Sequence, residues 1–167
     1  MSTQVETLCM KTRKKTWALR HLRKSGFSED ELLKVYKSYI RPSIEYSSTI
    51  YHPMITAEQQ LLIERQQFFA LKNIYGFTYS HRQLLEMSGL QTLHERRGEA
   101  CKKFATKTAK NPRFTHWFPK RRTRGGDEQY LELPARTDRR KQSPLYYYRR
   151  LLNEDRINYD TRTTVRP

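Results

Sequence analysis

Apolar positions recur at helical spacing along most of the chain, and each recurrence follows a polar residue suited to starting a helix. A basic stretch from about Cys9 to Lys24 is the first candidate, with Gly26 as its stop. The run Ser28 to Glu31 then forms a capping box, in which Glu31 reaches back to the backbone N–H of Ser28. Leu32, Val35, Tyr36, Tyr39 and Ile40 follow as an apolar stripe. Pro42 removes a backbone donor and crowds the preceding turn, which predicts a kink or break near Arg41; Pro53 ends the stretch beyond. Thr56 and Gln59 open the next helix, whose face is read as Leu61, Leu62, Phe68, Phe69, Leu71 and Ile74, with Gly76 as a left-handed C-cap. Ser80 and Gln83 start a short helix that stops at Gly89. Thr92 and Glu95 start another, with Leu93, Ala100, Cys101, Phe104 and Ala105 on one side and Lys103, Lys107 and Lys110 on the other, ended by Asn111 and Pro112.

Four capping boxes in register with four apolar stripes predict an all-α fold, a small helical bundle over residues 9–118. The character changes after Phe118. Lys120 to Arg124, Gly125-Gly126 and Arg139 to Lys141 carry charge without apolar periodicity, a composition that buries too little surface to offset chain entropy. Residues 119–167 therefore read as a basic, largely disordered tail. Ser143 and Pro144 set a cap and a proline at a first helical position, so a short helix is expected at about 144–153, with Leu145, Tyr148, Leu151 and Leu152 on one side.

Charge changes this picture more than size does. The 167 residues hold 33 Lys and Arg against 17 Asp and Glu, a formal net charge of +16, whose field attracts polyanions. Lys11, Arg13, Lys14, Lys15, Arg20, Arg23 and Lys24 occupy one window with no acidic residue among them. They read either as a solvated helix face or as a stripe that tracks phosphates, with Lys34 and Lys37 on the next helix as contributors. Two cysteines, Cys9 and Cys101, are too few and too far apart for a disulfide framework or a cysteine-based zinc site. The five histidines lie one per segment with no i, i+4 partner, so neither a metal nor a cofactor is expected. No apolar run approaches the roughly 18 residues of a membrane span, which makes an intracellular setting, nucleus or cytoplasm, the expectation.

Arg41 and Glu45 flank Pro42 four residues apart. Glu45 has a structural reading, bonding backbone N–H groups freed by the proline or reaching Arg65, Arg96 or Arg97. Cys101 shares an apolar stripe and reads as core. Tyrosine is abundant, with 11 residues, and most of them (Tyr36, Tyr39 and Tyr46 included) fall on helix faces or ends, where burial with a wet hydroxyl is the usual reason. The run Tyr146 to Arg150 is the better candidate for stacking on unpaired bases.

The block Lys34 to Tyr46 (Lys-Val-Tyr-Lys-Ser-Tyr-Ile-Arg-Pro-Ser-Ile-Glu-Tyr) resembles the segment after the polymerase palm in reverse transcriptases of non-LTR, LINE-type retrotransposons. Further blocks follow in the family's order: Glu64 to Gln66, Ile74 to Gly76, Ser88 to Leu93, Glu95 to Arg97, Asn111 to Phe114, Ser143 to Leu145 and Leu151 to Asn153. The resemblance spans roughly Trp17 to Asn153 and implies a helical thumb that holds RNA or an RNA–DNA duplex through its backbone. It also implies structural roles for Arg41, Pro42 and Glu45, and a palm and fingers elsewhere in a larger polypeptide. The family's catalytic Asp-Asp pair has no counterpart, since no Asp-Asp occurs in the sequence. Two metal-holding carboxylates are what nucleotide transfer requires, so a non-catalytic C-terminal part or remnant is expected. A helical protein-interaction module with incidental charge is the alternative. A separate DNA-binding helical protein is a third option, against which no recognition helix after a short glycine turn stands out.

Overall fold

The computed structural model describes residues 2–123, 128–132 and 134–164, with side chains described from Gln4 to Glu154 apart from Arg139. The fold is all-α apart from one small antiparallel strand pair. The chain divides into two compact units, residues 1–48 with 55–97, and residues 49–54 with 98–167. The expected boundary at Phe118 is not where the contacts divide, because the second half of a long helix packs with the residues that follow it.

In the first unit, α1 (Ser2–Lys24) starts before Cys9, the expected beginning. It buries Val5, Cys9, Thr12, Thr16 and Leu19, a strip at steps of three and four that packs on α5 (Ala57–Tyr75). Two threonines are tolerated there because each hydroxyl is satisfied one turn back. Thr12 donates to the Leu8 carbonyl at 2.8 Å and Thr16 to that of Thr12 at 2.9 Å. The helix closes as Phe27 N–H returns to the Leu22 carbonyl, with Gly26 at φ +88°, a conformation that favours glycine.

α2 (Glu29–Val35), a π-helical turn (Tyr36–Ile40) and α3 (Arg41–Glu45) run on, so of the kink or break expected near Arg41 no break occurs. The π turn explains this. Arg41 N–H bonds the Tyr36 carbonyl, five residues back, so the ladder widens just before the proline, which then sits in the first turn of α3 where no donor is needed. Leu32, Leu33, Tyr36, Ile40 and Ile44 are buried along this path. After α4 (Ser48–Tyr51) and a 3-10 turn (His52–Met54), α5, α6 (His81–Ser88) and α7 (Leu93–Lys110) follow.

All four capping boxes form. Ser28 N–H meets Glu31 at 2.9 Å, Thr56 N–H meets Gln59 at 3.1 Å, Ser80 N–H meets Gln83 at 2.9 Å and Thr92 N–H meets Glu95 at 3.1 Å. The face of α5 is only in part the one read from hydrophobicity: Leu71 and Ile74 of that reading are buried and Leu62 and Phe68 half-buried. Leu61 and Phe69 are exposed, whereas Ile63, Gln66, Gln67, Ala70, Leu71, Asn73 and Ile74 are buried. The buried amides have partners: Gln66 donates to the Leu62 carbonyl at 3.1 Å, Asn73 to that of Phe69 at 2.8 Å, and Gln67 to that of Gln91 at 3.1 Å. Gly89 takes the left-handed conformation, but Gly76, at φ +120° and ψ 171°, does not; its positive φ is still one that favours glycine.

In the second unit, Cys101, Ala105, Phe118 and Tyr148 form a core, with Tyr130, Leu145 and Leu152 packed on it. Phe104, read as core, is instead 45% exposed. A 3-10 turn (Pro112–Trp117) leads into β1 (Lys120–Arg122), paired antiparallel with β2 (Glu128–Tyr130); α8 (Asp138–Lys141) and α9 (Pro144–Thr164) follow. α9 contains the short helix expected at 144–153. The Tyr148 hydroxyl donates to the Thr49 carbonyl. Asn153 on α9 accepts from Tyr130 N–H at 2.9 Å and donates to the Tyr130 carbonyl at 3.1 Å, binding the open edge of β2. Arg124 to Asp127 and Leu133, which belong to the expected basic tail, lie outside the described residues.

Candidate nucleic-acid interface

Seven cations on one helix cannot share a face at about 3.6 residues per turn. α1 divides them between the two flanks of its buried strip. On one flank Arg13 and Arg20, seven residues apart, line a hollow of ≈ 330 Å³ with Trp17, Gln66, Phe69 and Asn73. Arg20 Nε donates to Asn73 Oδ1 at 2.9 Å, and Arg23, further along, donates to the Asn73 carbonyl at 3.1 Å. These two arginines therefore hold α1 to α5, a structural task absent from the expected phosphate stripe. On the other flank Lys11, Lys14 and Lys15 line a larger hollow with Gln4, Thr7 and Tyr46. Lys15 is engaged: its ammonium lies 4.3 Å from the Tyr39 ring centroid and 3.5 Å from the Tyr39 carbonyl.

None of the seven has a carboxylate within ion-pair distance among the described residues. Like charges also stand at neighbouring helix positions, Lys11 with Lys14 and Lys15, and Arg20 with Arg23 and Lys24. Each such pair costs a helix about 0.2–0.5 kcal/mol, a cost that a bound anion would relieve. Lys34 is exposed and Lys37 half-buried, so the π turn places only the first fully in solvent.

Of the residues read as structural, Arg41, Glu45, Arg96 and Arg97 meet in a partly buried cluster of the first unit. Arg96 forms a forked pair with Glu45, Nε at 2.6 Å and the second nitrogen at 3.2 Å, while Arg41 stands 4.0 Å from the same carboxylate. Arg97, fully buried, donates to Glu64 at 3.4 Å. Glu64 also accepts the Leu93 N–H at 3.1 Å, as does Gln67 at 3.2 Å, so the start of α7 is anchored to α5. Arg65 is exposed and stands outside the cluster. Burial, opposed in part by Arg41, pushes the Tyr36 hydroxyl well above the ordinary tyrosine range, and that hydroxyl has no hydrogen-bond partner among the described residues.

No family model, curated protein or solved structure matches this chain.

The stacking residues expected at Tyr146 to Arg150 are in part misplaced. Tyr148 and Arg149 are buried, and Arg149 donates from Nε at 2.9 Å and a second nitrogen at 2.6 Å to the Trp117 carbonyl, and at 3.2 Å to that of Leu131. Desolvation lowers the pKa of this guanidinium. Among the described residues Tyr39, Tyr46 and Tyr79 face solvent, and Tyr46, at the end of α3, is 78% exposed. Sequence spacing placed it at a helix end like several others; what marks it is the turn that follows, where Ser47 adopts φ +56°. Among the described residues no helix is long and apolar enough to cross a membrane, and no three His, Cys, Asp or Glu side chains are grouped to hold a metal ion.

Proposed function

We propose that this chain is a non-catalytic, thumb-like helical segment that binds RNA or an RNA–DNA duplex through its phosphates, as the C-terminal part or remnant of a non-LTR reverse transcriptase. The observation that carries the reading is the set of seven α1 cations without a carboxylate partner among the described residues. Elsewhere among the described residues Arg41, Arg82, Arg96, Arg97, Lys120, Lys141 and Arg150 each have one and Lys34, Arg65, Lys103 and Lys107 have none, so α1 stands out by gathering seven such cations in one window with no acidic residue among them. Lysine and arginine held this way neutralise phosphates and release counterions, an interaction that carries no base information. The ordered blocks from Lys34 to Asn153 support the family reading, and the lack of an Asp-Asp pair in the sequence supports the non-catalytic one.

The test is fluorescence anisotropy of the intact chain with two labelled duplexes of unrelated sequence and one RNA–DNA hybrid. Similar affinity for all three, falling steeply with salt, is expected. Undetectable binding at low salt would overturn the reading in favour of a protein-interaction module. One feature favours that second reading, an apolar groove of ≈ 330 Å³ in the second unit, lined by Ile50, Phe104, Trp117, Phe118 and Leu145 among others.

A further inference from the structure

We infer that the hollow between α1 and Tyr46 is a site for an unpaired nucleobase, stacked on the Tyr46 ring while Lys11 and Lys14 hold the phosphates on either side. The inference rests on the nucleic-acid reading above and adds to it a preference for single-stranded segments. The hollow measures ≈ 740 Å³, within the range of about 300–1,000 Å³ that accommodates a small organic molecule. Its contents are those that single-strand sites combine: an aromatic face, an apolar wall and cations for the backbone. Tyr46 supplies the face, Leu8 the wall, and Lys11 and Lys14 the charge, with Gln4 and Thr7 at the polar side.

Tyr46 is not spent on the core. Its neighbour Ile44 is fully buried, whereas Tyr46 is 78% exposed, and Ser47 turns the chain at φ +56°, a conformation that costs a non-glycine residue. The charges are equally uncommitted. Lys15 is occupied by Tyr39, but Lys11 and Lys14 have neither a hydrogen-bond nor an ion-pair partner among the described residues. A paired duplex offers no base face to Tyr46, because its bases stack on one another. An unpaired nucleotide offers both a free face and flanking phosphates.

The experiment measures binding of the intact chain, and of Tyr46→Ala and Tyr46→Phe, to labelled ten-nucleotide oligo(U), oligo(dT) and an abasic strand of the same length. The wild-type chain is expected to bind both base-bearing strands about tenfold more tightly than the abasic one. Tyr46→Ala should lose that margin, and Tyr46→Phe, which keeps the ring, should retain it. Oligo(U) and oligo(dT) should respond alike, since stacking does not read the 2′-hydroxyl; a loss confined to one sugar would overturn stacking as the cause. Equal wild-type affinity for abasic and base-bearing strands would overturn the site and leave the phosphate reading standing. Failure to bind any strand or duplex would overturn both.

Discussion

Arginine and lysine do opposite work in two regions of the first unit. In the cluster of α3, α5 and α7, Arg97 is fully buried and Arg96 partly so, and they are matched to Glu64 and Glu45. Along α1, Lys11, Arg13, Lys14 and Lys24 stay in water with no carboxylate beside them among the described residues. Charge in a low-dielectric setting is tolerated only when paired, so the cluster fixes geometry. Charge left unpaired at the surface adds little to the fold and is available to an external anion. The difference separates cations that build the domain from cations left in solvent, although composition counts them alike.

The contrast predicts a graded set of effects. Glu64→Ala removes the carboxylate from fully buried Arg97 and should destabilise the chain by about 3–5 kcal/mol in urea denaturation. Replacing both partners, Glu64→Leu with Arg97→Met, should recover most of that loss. A double variant as unstable as Glu64→Ala alone would mean that the pair contributes more than charge compensation.

Tyr36 gives the same region a pH signature. Burial raises its folded-state pKa, so its contribution is complete below the unfolded value of about 10 and is lost as pH rises beyond it. The slope from this group reaches about 1.4 kcal/mol per pH unit, and Tyr36→Phe should remove that part of the alkaline fall. An identical fall in the variant would place the titrating group elsewhere.

Arg20 lies between the two regions. Arg20→Ala leaves buried Asn73 Oδ1 without this donor and should cost about 1 kcal/mol, measurable as a shift in the urea midpoint. A neutral outcome would return Arg20 to the freely solvated flank. Any loss of nucleic-acid binding in this variant mixes two causes, which makes it a poor probe of the interface.

What could be read from the sequence follows the range of each interaction. The capping boxes join residues three apart, so Ser28 with Glu31 and Thr92 with Glu95 were legible. The π turn was not, because Pro42 announces a disturbed ladder without saying whether the helix breaks or widens. Arg97 and Glu64 stand 33 positions apart, and only the anchoring of the start of α7 to α5 joins them. The face of α5 was misread in part for a related reason. Gln66, Gln67 and Asn73 look like surface residues until the carbonyls that satisfy them are known. The even spread of charge on α1 hid its division into two flanks, and Tyr46 carried no signal in the sequence, since the turn at Ser47 shows only in the fold.

The central claim is that unpaired α1 cations neutralise phosphates, and the salt dependence of duplex binding tests it most directly. The variant Lys11→Gln/Arg13→Gln/Lys14→Gln changes three residues that have no hydrogen-bond or ion-pair partner among the described residues, so its stability should stay within about 0.5 kcal/mol of the parent. The slope of log K against log salt should then flatten by up to about 3, with the same loss of affinity on unrelated sequences. An unchanged slope in a stably folded variant would contradict the claim.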